Sequence, residues 1–318
     1  MLTYQKNILL SIIIPVFNGE RTIIKLLENI LSISPEYVEF IIVNDGSTDK
    51  THILIESFCT EKNIDRNIYK YYQFNDNKGV SAARNFGITK VKGNYIGFID
   101  SDDIITNDYF NYIIPAIKED EFDIISFNFI YNNEVMLPSN NTNLIEPVFD
   151  ICYWQLVSRV YKINLWKNVY LEIGRHYEDL ILLPYIYLKA KKIKHIPEAL
   201  YIYNKNDTSI TQNIKKSDVN DLFFAINKMI SFIYTDKNSH ENISMLINYL
   251  INSFFLARKL IKKLDGYYHY DKEQTILIKE IINLVNRYNV KIPKSKKRKL
   301  QYLQLDTFIS RLNNIISR

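Results

Sequence analysis

Asn94-Tyr95-Ile96-Gly97-Phe98-Ile99-Asp100-Ser101-Asp102-Asp103 is an apolar run that stops on three carboxylates in four residues. The run has the length of a strand and is apolar enough to be covered on both faces. Two earlier stretches have the same character: Leu9-Leu10-Ser11-Ile12-Ile13-Ile14-Pro15 and Phe40-Ile41-Ile42-Val43. Residues 68–74 read as a further strand. Between these runs the period changes. Ile23, Ile24, Leu26, Leu27, Ile30 and Leu31 recur at helical spacing. Asp49 can cap a helix that turns Ile53, Leu54 and Phe58 inward, and residues 80–89 form another helix. Repeated β-α units predict the α/β class, a Rossmann-like, mostly parallel sheet with helices on both faces. Ligands of such sheets bind beyond the carboxyl ends of the strands. The polar clusters fall there: Asn18 after the first strand, Asp45 after the second, the acidic quartet after the fourth.

The rest of the chain sets the boundaries. Its 318 residues suffice for one large domain and a smaller appended one. Residues 123–130 and 199–203 read as strands and 178–190 as a helix. Beyond 214 the pattern is helical, over 219–233, 243–264, 273–288 and 300–316, so a soft boundary near Lys215 gives units 1–214 and 215–318. Hydrophobic residues at 47% and charged residues at 24% are those of a soluble globular protein. A net charge of +5 is too mild to argue for nucleic acid, and the α/β unit has no basic face. Two cysteines, Cys59 and Cys152, make neither a metal cluster nor a disulfide framework, which favours a reducing compartment. Met1–Lys6 does not lead into a cleavable signal, and no stretch approaches the ~18 apolar residues that span a bilayer. The expected location is cytoplasmic, at most peripheral on the inner face of the membrane.

Clustered carboxylates repel one another, and a hard divalent cation such as Mg²⁺ or Mn²⁺ relieves them. The same quartet also reads as a solvated turn capping a helix near Asn107. Asp45, in Val43-Asn44-Asp45-Gly46-Ser47, is a turn former or a carboxylate that accepts an imide N–H. Asn77-Lys78-Gly79 leads into a helix whose first residues are small, which invites an anion or a base, while Arg84 and Asn85 can instead brace the acidic turn.

Taken in order, Ile14-Pro15-Val16-Phe17-Asn18, Ile42 to Asp49, Asn77-Lys78-Gly79 through Arg84-Asn85-Phe86-Gly87, and Phe98 to Asp103 closely resemble family 2 glycosyltransferases, inverting enzymes of the glycosyltransferase A fold that build bacterial surface glycans. The resemblance is strong over about the first 110 residues and weak to about Thr211. It implies that Pro15, Phe17 and Asn18 line the nucleoside pocket and that Asp45 contacts the base. It puts Lys78 and Arg84 by the base and phosphates of the donor, and Asp100 and Ser101 near the ribose or sugar. Asp102 would be the metal ligand, with Asp103 on the donor sugar or behind it. The pair Glu178-Asp179 resembles the family's Glu-Asp before a helix, so Asp179 would be the general base with Glu178 in support. Acidic residues also simply favour the first turn of a helix. Trp154, Arg159, Tyr161 and Trp166 stand where the family carries acceptor-side residues, although core packing is the commoner fate of aromatics. Tyr203 to Ile210 resembles a segment that closes the donor site, with Lys205 where the family often has arginine or histidine.

The implied activity is transfer of a sugar from a UDP-sugar, with Mn²⁺ or Mg²⁺, to a glycan or lipid-linked saccharide. The basic run around Lys294, Lys296, Lys297, Arg298 and Lys299 and the amphipathic helices suit packing, homo-oligomerisation or contact with an anionic membrane. Two alternatives stand beside this reading: a nucleotidyltransferase, which would need a Gly-rich phosphate loop that Pro15 to Gly19 does not supply, and a non-catalytic sugar-nucleotide-binding protein.

Overall fold

The computed structural model describes residues 7–137, 145–204, 214–236 and 241–290, with positions 298, 302 and 305. Two compact units emerge: Met1–Pro147 with Tyr153–Asp207, and Val148–Cys152 with Thr208–Arg318. The division differs from a single cut near Lys215, because residues 148–152 group with the C-terminal helices.

In the first unit the strands are β1 Leu10–Val16, β2 Val38–Asn44, β3 Tyr69–Gln73, β4 Tyr95–Phe98, β5 Ile104–Ile105, β6 Ile124–Tyr131, β7 Glu134–Met136, β8 Arg159–Lys162 and β9 Ile193–Tyr203. The helices are α1 Ile23–Ile33, α2 Thr51–Glu61, α3 Val80–Ile88, α4 Tyr109–Lys118, α5 Glu146–Ile151, which straddles the division, and α6 Glu178–Lys189. One sheet runs β3-β2-β1-β4-β8-β6-β9-β5, with β7 on β6. β2, β1, β4 and β3 are mutually parallel, as are β6 and β9, while β8, β5 and β7 pair antiparallel with their neighbours. Six of the nine strands therefore point the same way, as the α/β expectation requires.

The apolar runs become buried strands because they are covered on both faces: all seven residues of β1 and of β2 are buried. Register pairs Ile12 with Phe40 on one side and with Gly97 on the other. The exception within β2 is Glu39, fully buried, whose carboxylate accepts from Ser11 Oγ (2.6 Å), the Lys92 N–H (2.7 Å) and Lys70 Nζ. A buried carboxylate costs several kcal/mol unless so matched. α1 buries Ile23, Leu26, Leu27 and Ile30, the stripe expected from its spacing. Asp49 accepts the Thr51 N–H at 3.0 Å but stands one residue before the N-cap of α2, Lys50, whose side chain makes no cap bond.

The second unit contains α7 Lys216–Thr235, α8 Ile243–Asp265 and α9 Lys272–Arg287, packed on one another. Phe254 is its centre, meeting Phe223 at 6.3 Å and Tyr270 at 5.7 Å between ring centroids. Residues 148–152 join through Asn248, which donates to Asp150 (2.9 Å), and Asn252, which donates to Cys152 Sγ (3.1 Å). Among the described residues, no helix is long and apolar enough to cross a membrane. The basic run at 294–297 and 299, the segment at 205–210 and most of the expected helix at 300–316 lie outside the described residues.

Candidate active site

β1 and β2 end side by side, and their turns are stitched together. Asn18 adopts a left-handed backbone (φ 49°), a conformation Asn tolerates better than most residues. Its N–H donates to Ser47 Oγ and its Oδ1 accepts the Thr48 N–H, each at 2.9 Å. Pro15 is buried inside β1, whereas Phe17 leaves 46% of its surface exposed at the turn. Asp45 follows β2 and is almost fully buried. Its Oδ1 accepts the Lys78 N–H and its Oδ2 the Gly79 N–H, both at 2.8 Å. The turn-forming role of Asp45 is thus met by pinning the loop ahead of α3. A carboxylate has about four acceptor sites, so capacity remains for a further donor. Lys78 itself is exposed, with Nζ 5.1 Å from the Phe74 ring centroid.

The three carboxylates of the acidic turn part ways. Asp100 Oδ1 accepts from Arg84 Nη2 at 2.7 Å. Asp103 is buried; its Oδ2 accepts the Tyr201 hydroxyl (2.6 Å) and its Oδ1 the Asn204 N–H (2.8 Å). Burial, reinforced by the Asp100 charge, pushes the Asp103 carboxyl up to about 8 against the pull of the Tyr201 hydrogen bond. Asp102 is partly exposed, its carbonyl held by Asn204 Nδ2 at 2.7 Å. Ser101 is partly exposed and neighbours the β1 turn, since a Cβ on Gly19 would lie 3.7 Å from Ser101 Oγ.

Arg84 braces the acidic turn, one of the two readings that the sequence left open for it. Arg84, Tyr201 and Asn204 already satisfy Asp100 and Asp103, and among the described residues no three His, Cys, Asp or Glu side chains converge on one point. Asp102 is the member of the turn to which the resemblance assigns a metal. It suits Mg²⁺ or Mn²⁺, hard cations that are commonly held by one or two carboxylates with substrate phosphates and water completing the shell.

The fourth contributor is the start of α6. Tyr177 is left-handed (φ 58°), which turns the chain sharply into the helix. Glu178 Oε1 accepts from Arg84 Nη1, so a single guanidinium, 5% exposed, joins the acidic turn to α6. Burial opposes the Arg84 charge, but the Asp100 and Glu178 carboxylates outweigh it and keep the group charged. Asp179, partly exposed, accepts the Leu180 N–H at 2.6 Å. Desolvation first, then the Glu178 charge, push its carboxyl up to about 7, against Arg84 and Arg159.

Two further sets of residues bear on the site. Trp154, Arg159, Tyr161 and Trp166 are all buried, so none offers a face to an acceptor. Trp166 packs on Phe98 (5.2 Å) and Tyr161 (5.5 Å), and Arg159 donates to Tyr187 Oη, Ser158 Oγ and the carbonyls of Gln155 and Tyr153. The core reading of these aromatics holds. The sequence assigns Tyr201 and Leu171 no role at the site and marks Asn204 only as part of the segment from Tyr203 to Ile210; Tyr201 and Asn204 hold the acidic turn. Leu171 exchanges two 2.9 Å hydrogen bonds with the Asn85 side chain, which ties the segment before α6 to α3. The only signal for them was their nearness to the motifs once the chain is folded. His195, hydrogen-bonded through Nδ1 to Ser126 Oγ (3.0 Å), is structural.

A profile described as Glycosyl transferase family 2 matches residues 11–176, more than half of the chain. The chain belongs to glycosyl transferase family 2. As a family 2 chain it is similar to the glycosyltransferase GlyA of Streptococcus pneumoniae serotype 4, 28% identical over 244 residues, which are 70% of this chain and 34% of GlyA. It is also similar to the minor teichoic acid biosynthesis protein GgaB of Bacillus subtilis, 26% identical over 276 residues, 80% of this chain and 30% of GgaB. The chain thus spans about a third of the length of either relative. Among solved structures, TarS residues 1–349 of S. aureus in complex with UDP-GlcNAc superposes with a TM-score of 0.76 at 20% identity, over 95% of this chain and 89% of that one. That likeness establishes the fold, the glycosyltransferase A fold. Family membership sets aside the nucleotidyltransferase alternative.

Proposed function

We propose that this family 2 glycosyltransferase is inverting and moves a hexosyl or N-acetylhexosaminyl group from a UDP-sugar to a hydroxyl of a growing bacterial surface glycan. The observation that carries this reading is the Arg84 guanidinium bound to Asp100 on one side and Glu178 on the other. It brings the proposed donor-side turn and the proposed base within the reach of one side chain. TarS supports the donor class, since it binds UDP-GlcNAc, and GgaB supports the glycan class by its role in teichoic acid biosynthesis.

In this reading the exposed ring of Phe17 and the side chain of Asn18 face the nucleoside, with Pro15 shaping the wall from beneath and the spare acceptor capacity of Asp45 turned to the base. Lys78 meets the phosphate side, and Asp100 with Ser101 the ribose or sugar; Asp103 stays behind the turn and holds its shape. A divalent cation on Asp102 would offset the charge of the departing nucleoside diphosphate. Asp179 takes the proton from the acceptor hydroxyl, and one in-line displacement inverts the anomeric centre. Glu178 fixes the start of α6 and the acceptor side. A carboxyl near 7 is suited to this work at neutral pH, being ionised in part and basic enough to hold a proton. The acceptor would be a glycan or lipid-linked saccharide met in the cytoplasm at the membrane face, where Arg258, Lys259, Lys262 and Lys263 of α8 could meet anionic lipid, or where those helices could pair two copies.

The test is UDP release from a panel of UDP-sugars with Mn²⁺ or with EDTA. One donor should be turned over, only with the metal, and Asp102→Ala should lower that rate about 100-fold, the size of losing one group that stabilises developing charge. Turnover by Asp102→Ala at the parent rate would contradict the metal assignment.

A further inference from the structure

The resemblance puts Arg84 beside the base and phosphates of the donor, but its surroundings point elsewhere. The side chain is almost wholly enclosed, Nη2 lies on Asp100 at 2.7 Å and Nη1 on Glu178. Nε has no acceptor among the described residues, and each terminal nitrogen carries a second N–H. Both terminal nitrogens are thus engaged by carboxylates of this chain, and with the side chain 6% exposed little of it is open to a phosphate. The next residue, Asn85, clamps Leu171 in the segment that runs into α6. One turn of α3 therefore organises the acidic turn, the approach to α6 and its first residue together.

We propose that Arg84 is a positioning residue for the transfer step and not a donor ligand: it locks Glu178 at the start of α6 against Asp100 and sets a fixed positive charge beside Asp179. This rests on Asp179 as the base. The groups that act electrostatically with Asp179 include Glu178 of its own helix, Arg84 of α3, Arg159 and Tyr161 of β8, and Tyr203 of β9. Glu178 raises the Asp179 carboxyl, and the two arginines lower it. Arg159 donates to neutral oxygens of Tyr187, Ser158, Gln155 and Tyr153, whereas Arg84 contacts the Glu178 carboxylate directly. Without Arg84, Asp179 loses an attraction and faces an uncompensated Glu178, and its proton should be held to higher pH.

The experiment measures unfolding free energy against pH for the parent, R84Q and R84K, each with and without D179N. Asp179 binds its proton more tightly in the folded state, so its contribution is full below about pH 4 and is lost as pH rises through about 7. The difference between each protein and its D179N partner isolates that contribution. In the R84Q pair the loss should extend about one pH unit higher. In R84K, which keeps the charge on a shorter point donor, the window should move far less. With UDP-GlcNAc and Mn²⁺, both variants should lower kcat while leaving the donor KM within about twofold, the signature of an interaction made in the transition state. An unmoved window in R84Q, or a donor KM raised about tenfold with kcat intact, overturns the proposal. If R84Q does not fold, the split between KM and kcat in R84K decides. D179N that still turns over donor would defeat the reading of Asp179 as base, while the unfolding window would still report on Arg84.

Discussion

As the proposed base, Asp179 must be ionised when the acceptor hydroxyl arrives and basic enough to take its proton. An ordinary aspartate, near 3.9, meets only the first demand. Burial and the Glu178 charge bring Asp179 up to about 7 and so meet the second. Because the raised group is active in its ionised form, kcat/KM for UDP-GlcNAc turnover should climb with pH through about 7 and level off above it. A profile flat between pH 5 and 8 would place the base elsewhere. The Glu178-Asp179 pair is legible in the sequence because both carboxylates sit together ahead of a helical stretch. The sequence offers Arg84 as a brace for the acidic turn but not its link to Glu178. Its two partners lie 16 and 94 residues away, and only the folded chain shows that its charge is engaged by them. Asp45 is a mixed case: Asp-Gly announces a turn, but the N–H groups that it binds belong to a loop 33 and 34 residues on.

The site is made of turns held in register by strands. Gly46 shows how little freedom those turns have. Its φ is +68°, and a Cβ there would lie 2.4 Å from the Asp76 carbonyl carbon, so backbone strain and a backbone clash fall on one residue. Gly46→Ala should cost about 2–4 kcal/mol in urea unfolding, the left-handed penalty plus overpacking. Gly266, at the end of α8, has φ +78° and open space around it, so Gly266→Ala should cost only the backbone share, about 1–2 kcal/mol. Equal losses at the two positions would mean that the Asp45 turn is not as tightly held as its geometry indicates. The long apolar strands and the amphipathic helices follow from periodicity, since a covered strand and a one-faced helix leave different spacings of apolar residues. β5, with two residues, and β8, with four, carry no periodicity of their own, and their existence depends on the strands they pair with. The acidic turn was readable as an element. That Tyr201 and Asn204 of the β9 end secure it was not, because the pairing of β5 with β9 is what brings them there.

At the scale of the molecule, the α/β expectation holds because the first hundred residues alternate strand and helix with short connections, and this forces parallel pairing. The antiparallel strands follow from the later, mixed stretch, where the sequence alternates less regularly. The division into units was approximate for a related reason. Composition shifts near residue 215, but the five residues Val148–Cys152 join the helical unit through tertiary contacts that composition does not record. The proposed site lies at the carboxyl ends of β1, β2 and β4, and Arg84 links the turn after β4 to the start of α6. The most direct test of that account compares Asp179→Asn with the parent by calorimetric titration of UDP-GlcNAc in the presence of Mn²⁺ and by UDP release under the same conditions. The account predicts donor affinity within about threefold of the parent and turnover lowered about 100-fold or more, as for loss of a general base. Turnover near the parent rate at unchanged affinity would contradict it.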